Sequence, residues 1–352
     1  MKSTRSGIPK IAELAGVSIG TVDRALHGRP GINKETRQRV LDIARKIGYK
    51  PNLAARSLST GRRIRIGVCV PKEIRYFYNE MWDGIHEEVR RYSDRGVDFL
   101  LEAVPELGKG ERQSFRKLLE AEVHGIVVTP GNPDTMTPLI DSAENKNVRV
   151  VCVSTDAPAS RRSCIVCVEP RLNGLIAGEL MSKFVPPGSA TAIITGMLKT
   201  VDHREKAEGF TRSFTQYCDG GSVVATIEGH EDPDESFGKT RKLLKRFPDL
   251  AGIYVNTVNC LPVCKALTAS RRAGKVRLIA TDLFQEMVPL FRKGIIDASM
   301  HQRPYRQGQV AIRSLAEHLL HESDIPSAHY LNPAVILRSN LHLFRETGGR
   351  AG

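Results

Sequence analysis

The chain has 352 residues, of which 41% are hydrophobic and 26% are charged, with a formal net charge of +13. This composition excludes a disordered or collagen-like chain, and no apolar run approaches the roughly 20 residues of a membrane-spanning helix. Because no apolar stretch follows the basic N-terminus as it does in a secretory signal, we expect a cytoplasmic protein without a membrane partner.

Most of the positive charge lies at the start of the chain. Residues 1–63 contain 14 Lys and Arg against 4 Asp and Glu, which accounts for +10 of the net charge of +13. A basic head on a nearly neutral body favours a polyanion as partner, and nucleic acid first of all. A solvated basic arm would show the same charge, so the pattern of the segment decides between the two interpretations.

The start of the chain is patterned as three short helices. Pro9 suits the first turn of a helix that ends at Gly16, and Ser18 is placed to cap a second helix. A third helix is predicted from Asn33 to Ile47, with an apolar stripe on one side and basic residues on the other. Two helices joined by a tight turn and followed by a third are typical of a helix-turn-helix domain.

The second of these helices is the candidate DNA-reading element, since the first residues of this helix contact bases in the major groove. Arg24 can donate two hydrogen bonds to one guanine, and Ile19 can contact a thymine methyl group. The hydroxyl groups of Thr21 and Ser18 suit phosphate oxygens. The candidate DNA-contacting residues are Ser18, Ile19, Gly20, Thr21, Asp23, Arg24 and His27.

The segment IAELAGVSIGTVDRALHGRPGINKETRQRVLDIARKIGYKPNLAARSLSTG resembles the DNA-binding head of the lactose-repressor/galactose-repressor family. The AxxAGVS start, the TVxR core, KETRxxV and the IGYxPN end carry the resemblance. It implies a hinge helix that begins at Asn52 and folds on operator DNA. In that helix Ala55 lets two copies approach, and Leu58 wedges into the minor groove. A plain linker is the alternative interpretation of PNLAARSL.

Two positions depart from the family pattern. Asp23 stands where the family commonly has Ser, and Gly20 stands where a larger polar side chain is usual. Gly20 offers no side chain to a base, and phosphate repels Asp23 unless its carboxylate binds a cytosine amino group or orients Arg24. The base preference of better-known relatives therefore cannot be transferred to this chain.

From residue 64 onward, short apolar runs rich in Val and Ile alternate with helical stretches. The first series of runs is IRIGVCV, VDFLL, GIVVT, VRVVCV and CIVCV, and the second is ATAIIT, SVVATI, AGIYV, VRLIA and DASM. Helices are predicted near residues 79–93, 110–121, 135–146, 203–217, 235–247, 260–272 and 286–293. This alternation predicts an α/β body of two doubly wound parallel sheets behind the all-α head.

Motifs for catalysis are weak in this chain. Neither GxGxxG nor GxxxxGK[ST] occurs, so the usual signatures of nucleotide-binding enzymes are missing. The spacing of Cys164 and Cys167 puts them on opposite faces of a strand, and Cys260 and Cys264 share a helix face typical of core packing. The segment HEDPD at residues 230–234 could bind a cation or form a solvated loop. We expect reduced core thiols, no cofactor, no metal and no enzymatic activity.

Four polar side chains follow buried strands of the predicted sheets. They are Asp156, Asn256, Asp282 and Gln302. Ligands of open α/β sheets bind at the carboxyl ends of the strands, where these residues lie. Each of them could instead cap a helix or form a turn, but four such residues at equivalent places in two series favour a ligand site.

The body also resembles the periplasmic sugar-binding-protein fold that the same repressors carry, through VVCVSTD, KAEGF, GIYVN and HQRPYRQGQVA. The resemblance implies that Phe77 and Tyr78 lie against a ligand ring. Lys206 occupies the place of the usual Arg in the KAEGF motif, and Arg204 is the candidate that compensates. The implied ligand-binding residues are Phe77, Tyr78, Asp156, Arg204, Lys206, Asn256, Asp282 and Gln302.

The resemblance further implies how the chain is divided, with crossings between the two lobes near residues 168–170, 294 and 331. The expected parts are a DNA-binding head (1–51), a hinge helix and linker (52–61), a ligand-binding body (62–346) and a tail (347–352). Within the body we expect a first lobe of residues 62–168 plus 295–330 and a second lobe of residues 169–294 plus 331–346.

These expectations define a transcriptional repressor whose affinity for double-stranded operator DNA is controlled by a small sugar or polyol between the lobes. Because the tail lacks leucine heptads, we expect a homodimer that reads a pseudo-palindrome. The alternatives are a cytoplasmic sugar-binding protein and a sugar-modifying enzyme. The basic head disfavours the first alternative, and the missing catalytic signatures disfavour the second.

Overall fold

Three short helices form the N-terminal head in the computed structural model, which describes residues 8–26, 30–47, 63–72 and 75–344. The helices are α1 (Ile8–Ala15), α2 (Ile19–Leu26) and α3 (Lys34–Lys46). Four of the predicted DNA-contacting residues, His27, Asn52, Ala55 and Leu58, lie outside the described residues, as do the hinge and the tail.

Side-chain caps and a small apolar core explain the three helices. The hydroxyl of Ser18 accepts a hydrogen bond from the backbone amide of Thr21 at 3.1 Å, at the start of α2. The side chain of Asn33 accepts one from the backbone amide of Thr36 at 2.7 Å, at the start of α3. The apolar faces of the three helices meet in one cluster that includes Ile11, Val22 and Val40, all fully buried. The predicted helix-turn-helix head is confirmed.

The first lobe of the body is built on a six-stranded sheet in which every pair of neighbouring strands is parallel. Its strands are β1 (Ile64–Pro71), β2 (Val97–Val104), β3 (Gly125–Val128), β4 (Arg149–Val153), β5 (Cys164–Val168) and β11 (Ala328–Leu331), in the order β11-β5-β4-β3-β1-β2. Its helices are α4 (Arg75–Ser93), α5 (Glu111–Glu120), α6 (Pro133–Asn145) and α12 (Pro304–His321).

The second lobe repeats this plan with one change, because its last strand runs antiparallel to its neighbour. Its strands are β6 (Ala190–Thr195), β7 (Ser222–Glu228), β8 (Gly252–Val255), β9 (Arg277–Thr281), β10 (Ala298–His301) and β12 (Ala334–Ile336), in the order β12-β10-β9-β8-β6-β7. Its helices are α7 (Pro170–Phe184), α8 (Val201–Tyr217), α9 (Pro233–Arg246), α10 (Cys260–Ala269) and α11 (Val288–Arg292), with short 3₁₀ helices at Gln285–Met287 and Arg338–Phe344.

Apolar side chains project from both faces of each sheet and pack against helices on both sides. The predicted doubly wound architecture is therefore confirmed. In β5, Cys164 belongs to the cluster on one face and Cys167 to the cluster on the other, as their spacing predicts. Cys260 and Cys264 both pack in the second lobe's core. All seven cysteines are buried, and none of them forms a disulfide bond. Within the described ranges, no helix is long and apolar enough to cross a bilayer.

The chain passes between the lobes three times, after Val168, after His301 and after Leu331. The predicted crossing near residue 294 is therefore wrong. Strand β10 pairs in parallel with β9, and Ala298 lies opposite Ile279. Residues 295–301 consequently belong to the second lobe, and the first lobe resumes with α12. The series of apolar runs had already placed DASM with the second sheet, so the error lies in the crossing that the resemblance implied.

Candidate ligand-binding cleft and DNA-binding head

A cleft lies between the lobes at the carboxyl ends of their strands, where open α/β sheets bind ligands. It is lined by Phe77, Tyr78, Leu107, Ser154, Thr155, Thr200, Asp202, His203, Lys206, Glu231, Asn256, Thr257, Val258 and Gln302. The space between these atoms is about 390 Å³. Because residues of both lobes line this one small space, the lobes are closed on each other.

Two hydrogen bonds join the lobes across the cleft. The hydroxyl of Thr200, at the start of α8, donates to the backbone carbonyl of Gly131 at 2.9 Å. The backbone amide of Asp202 donates to the hydroxyl of Thr155 at 3.4 Å. Since both bonds connect groups of different lobes, opening the cleft must break them.

The first lobe contributes an aromatic pair to the cleft. Phe77 and Tyr78 lie in the first turns of α4, and their ring centroids are 5.0 Å apart with the planes at 89°. Burial raises the pKa of the Tyr78 phenol well above its ordinary value, and the carboxylates of Glu231, Asp202 and Glu111 add to the rise. This phenol therefore stays protonated and can donate a hydrogen bond.

The second lobe contributes a chain of ionic hydrogen bonds. Asp202 and Lys206 are one turn apart on α8, and the Lys206 ammonium donates to Asp202 Oδ2 at 2.7 Å and to Gln302 Oε1. Gln302 in turn donates from its backbone and side-chain nitrogens to the two oxygens of Asp282, each at 2.7 Å. Burial raises the pKa of Asp282 to about 6. These hydrogen bonds hold the side chain of Lys206, which is only 1% exposed, in one position.

Two buried oxygens at the cleft have no hydrogen-bond partner among the residues that the structure describes. They are Asp202 Oδ1 and Asn256 Oδ1. The side-chain nitrogen of Asn256 donates to the carbonyl of His203 at 2.8 Å, which directs its oxygen away from that carbonyl. Because a buried acceptor without a donor costs about 1–3 kcal/mol, these two atoms are prepared for donors on a ligand.

A second cluster of polar side chains lines the same cleft, and the sequence indicated it only through HEDPD, as a cation-binding segment or a solvated loop. Glu231 accepts hydrogen bonds from the Thr257 hydroxyl at 2.6 and 2.7 Å. His203 Nδ1 accepts from the backbone amide of Met197 at 3.0 Å, and its Nε2 lies 3.6 Å from Glu231 Oε1. Glu231 belongs to HEDPD, whose interpretation as a solvated loop is wrong for this residue, since its side chain is 6% exposed.

The structure brings five of the eight predicted ligand-binding residues into the lining of the cleft, and three of them lie elsewhere. The five are Phe77, Tyr78, Lys206, Asn256 and Gln302. Asp282 stands behind Gln302 and orients it. Arg204 is half-buried and donates to the carbonyl of Leu198 at 3.5 Å, outside the lining.

Asp156 is the clearest correction. Its carboxylate is held by the Arg162 guanidinium, which donates from Nε to Oδ1 and from Nη2 to Oδ2, the latter at 2.7 Å. The backbone amide of Ala157 occupies Oδ1 as well, at 2.8 Å. With its acceptor positions taken by this two-pronged ion pair, Asp156 stabilises the loop after β4, and Ser154 and Thr155 line the cleft instead.

In the head, the start of α2 is an open surface. Ile19 is 57% exposed, and Ser18, Gly20 and Arg24 are exposed beside it. The hydroxyl groups of Ser18 and Thr21 lie 2.9 Å apart, so they present their oxygens together. The structure thus leaves free the polar and apolar atoms that groove contacts need.

The fold and the site define a class, namely a helix-turn-helix head joined to a two-lobed ligand-binding body. Residues 8–52 match the model of bacterial regulatory proteins of the lacI family, and residues 66–323 match that of the periplasmic binding protein domain. The chain therefore belongs to the lacI family of regulators with a periplasmic-binding-protein body. It is a DNA-binding transcriptional regulator.

Curated relatives agree with this assignment. The transcriptional regulator DegA of Bacillus subtilis is 28% identical over 279 residues, which cover 78% of each chain. Catabolite control protein A of Priestia megaterium is 24% identical over 249 residues, which cover 70% of this chain and 72% of that protein.

Solved structures match the body. A solute binding protein from Burkholderia graminis, in complex with D-arabinose, is similar with a TM-score of 0.73 and 24% identity, over 79% of this chain and 96% of that one. A solute binding protein from Bacillus halodurans with bound myo-inositol gives a TM-score of 0.73 and 16% identity, over 81% and 98%. At these identities the likeness concerns the fold.

Proposed function

We propose that this regulator is a repressor whose affinity for operator DNA is controlled by a small polyhydroxylated ligand, a sugar or a polyol, bound between the lobes. The observation that carries the proposal is a pair of buried oxygens, of Asp202 and Asn256, that have no hydrogen-bond partner in the described part of the chain and lie in the cleft that Phe77 and Tyr78 also line. Hydroxyl groups supply donors for the oxygens, and the C–H face of a ring or chain covers the aromatic side.

The ligand acts through the closure of the lobes. A ligand shifts an equilibrium between two conformations only by its difference in affinity for them. The acceptors lie on the second lobe and the aromatic rings on the first, so a ligand that contacts both binds the closed form more strongly. The hydrogen bonds of Thr200 and Thr155 across the cleft also stabilise the closed form. Closure of this kind can move the segments that enter the head.

DNA binding requires two heads, which we assign to a homodimer. The recognition helix of each head reads one half-site of a pseudo-palindrome, with Ser18, Thr21 and Arg24 at the groove. Asn52, Ala55 and Leu58 belong to the proposed hinge helix between head and body, where Leu58 enters the minor groove.

The ligand part is tested by a thermal-shift screen of neutral sugars and polyols on the full chain, followed by titration of operator binding. We expect Asn256→Ala to abolish the response to any ligand that raises the melting temperature of the wild type. Asn259→Ala is the matched control, because Asn259 lies three residues on and donates to Ser236 at 3.3 Å outside the lining. An unchanged response of Asn256→Ala would remove the cleft as the ligand site.

The DNA part is tested by operator affinity as a function of salt. Arg24→Ala should weaken binding by about 1–3 kcal/mol and relax the preference at one base position. Arg241→Ala, which removes an exposed arginine of the second lobe, should leave that preference intact. Leu58→Ala should weaken binding to the operator more than binding to random DNA. Equal losses on both DNAs would show that the segment is a plain linker.

A further inference from the structure

The carboxylate of Glu231 is buried at the cleft with few hydrogen-bond donors. Its side chain is 6% exposed, and both of its oxygens lie within 2.7 Å of the Thr257 hydroxyl. A hydroxyl group has one proton to donate, whereas a carboxylate has about four acceptor positions. Most of the hydrogen-bonding capacity of Glu231 therefore remains available to a ligand.

The neighbouring imidazole of His203 makes no close hydrogen bond to this carboxylate. Its Nδ1 atom accepts a hydrogen bond from the backbone amide of Met197 at 3.0 Å. The Nε2 atom lies 3.6 Å from Glu231 Oε1, beyond the usual length of a hydrogen bond.

The lysine of the cleft is also unavailable to Glu231. Its ammonium is bound by Asp202 and Gln302. Of the side chains that line the cleft in the described part of the chain, Lys206 is the one permanent cation, against the two carboxylates of Asp202 and Glu231. Tyr78 experiences the same excess of negative charge, since Glu231, Asp202 and Glu111 all raise its pKa beyond the effect of burial.

The wall behind Glu231 is backbone, which lets the carboxylate and the imidazole lie close together. A Cβ atom at position 196 would collide with Glu231 Oε1 and with the His203 ring, so Gly196 leaves room for both side chains in these positions. The cluster of Glu231, His203, Thr257 and Gly196 is thus a built anionic pocket within the cleft.

We infer that this pocket is an ammonium subsite, and that the effector is a polyhydroxylated amine such as an amino sugar. The inference rests on the proposed function and names the ligand class of that same cleft. A protonated amine brings one positive charge and three donors, which match the net charge and the free acceptor positions of Glu231. The hydroxyl groups of the same ligand serve Asp202 and Asn256.

Isothermal titration of the full chain with matched hexoses tests the inference. The probes are D-glucosamine, D-galactosamine and D-mannosamine, each beside its neutral parent sugar and its N-acetyl derivative. We expect at least one amine to bind about tenfold or more tightly than both of its uncharged counterparts. Glu231→Gln should remove this preference, whereas Glu235→Gln, a nearby carboxylate paired with Lys239 and His230, should retain it.

Each outcome decides a separate point. Equal or tighter binding of the neutral parents overturns the ammonium subsite and leaves the proposed function standing. Absence of binding by every amine also overturns the ammonium subsite, and the thermal-shift screen of neutral sugars and polyols then decides the proposed function separately. If Glu231→Gln does not fold, Thr257→Val provides the second variant, since it keeps the carboxylate and removes its hydroxyl partner. The preference for the amine should then persist, and its loss in Thr257→Val would assign the pair a structural role.

Discussion

The two walls of the cleft differ in kind. The first lobe presents the rings of Phe77 and Tyr78 with small hydroxyl groups, and its nearby carboxylate, Asp156, is occupied by Arg162. The second lobe presents the ionic groups, including Asp202 and Lys206 on one turn of α8. Under the proposed function, the first lobe therefore reads the shape of the ligand and the second lobe reads its charge.

The largest loss of stability is expected when the buried ion pair of the second lobe is removed. Lys206→Met leaves Asp202 buried without its cation, and the loss of a buried partner costs about 3–5 kcal/mol of unfolding free energy. The control is Lys183→Met, because Lys183 and Glu179 form an exposed pair at the same spacing on α7. Urea unfolding measures both. Similar losses in the two variants would show that the second wall has no special ionic character.

The next largest loss of stability is expected at Asp156, the carboxylate of the first lobe that pairs with Arg162. Asp156→Ala removes both prongs of the Arg162 pair and should lower the unfolding free energy by about 1–3 kcal/mol. Its ligand affinity should equal that of the wild type. Glu208→Ala, which breaks an exposed contact with Arg171 at 3.5 Å, should be nearly neutral in stability. A loss of ligand affinity in Asp156→Ala would return this residue to the binding site.

The apolar wall is tested by Phe77→Leu. The substitution keeps a buried apolar side chain in the first lobe's core and should cost about 1 kcal/mol of stability. Ligand binding should weaken by about 1 kcal/mol, or roughly fivefold, because the aromatic face is lost. Calorimetric titration provides the measurement, with Phe247→Leu, an aromatic change outside the cleft, as control. Unchanged affinity would mean that the rings only fill space.

The pH dependence of stability tests a half-buried carboxyl group on α4. Burial, followed by Asp282 and Asp83, raises the pKa of Glu80 on α4 to about 8. The folded protein therefore holds a proton here that the unfolded chain releases near its ordinary pKa, and stability should fall as pH rises from about 5 to about 8. Glu80→Gln should make the decrease of stability with pH smaller. The decrease that remains should be the contribution of Asp282, whose pKa is about 6. An identical pH profile for both proteins would contradict the shift.

The strands were predictable because apolar runs of Val and Ile are visible without knowledge of partners. Strands β1 to β10 coincide with the ten runs of the two series. Strands β11 and β12 are short and half-exposed, so no such run marks them. Helices α7 and α12 were not predicted as helices, since their apolar faces are interrupted by Gly and Gln. The sheet that a strand joins depends on long-range pairing, which local pattern does not encode.

The expectation that ligands bind at the carboxyl ends of strands located Asn256 and Gln302 in the cleft. The same expectation also selected Asp156, which does not line the cleft. Its partner Arg162 is only six residues away, and their pairing depends on how the loop folds back. Asp202 begins a helix, so this expectation does not reach it. Glu231 lies three residues after β7, but within HEDPD the sequence left a cation-binding segment and a solvated loop as open alternatives. The spacing of Asp202 and Lys206 on one helix face was the available signal for that pair.

The three passages between the lobes have a consequence for synthesis on the ribosome. The first lobe cannot complete its sheet until β11 has been made. One face of that sheet is covered only in part, by α4, until α12 packs beside it with Ile312 and Leu315. Nearly all of the second lobe leaves the ribosome during this wait. A nascent chain therefore holds an unfinished first lobe through the translation of residues 170–331, and premature termination anywhere in that stretch leaves this lobe incomplete.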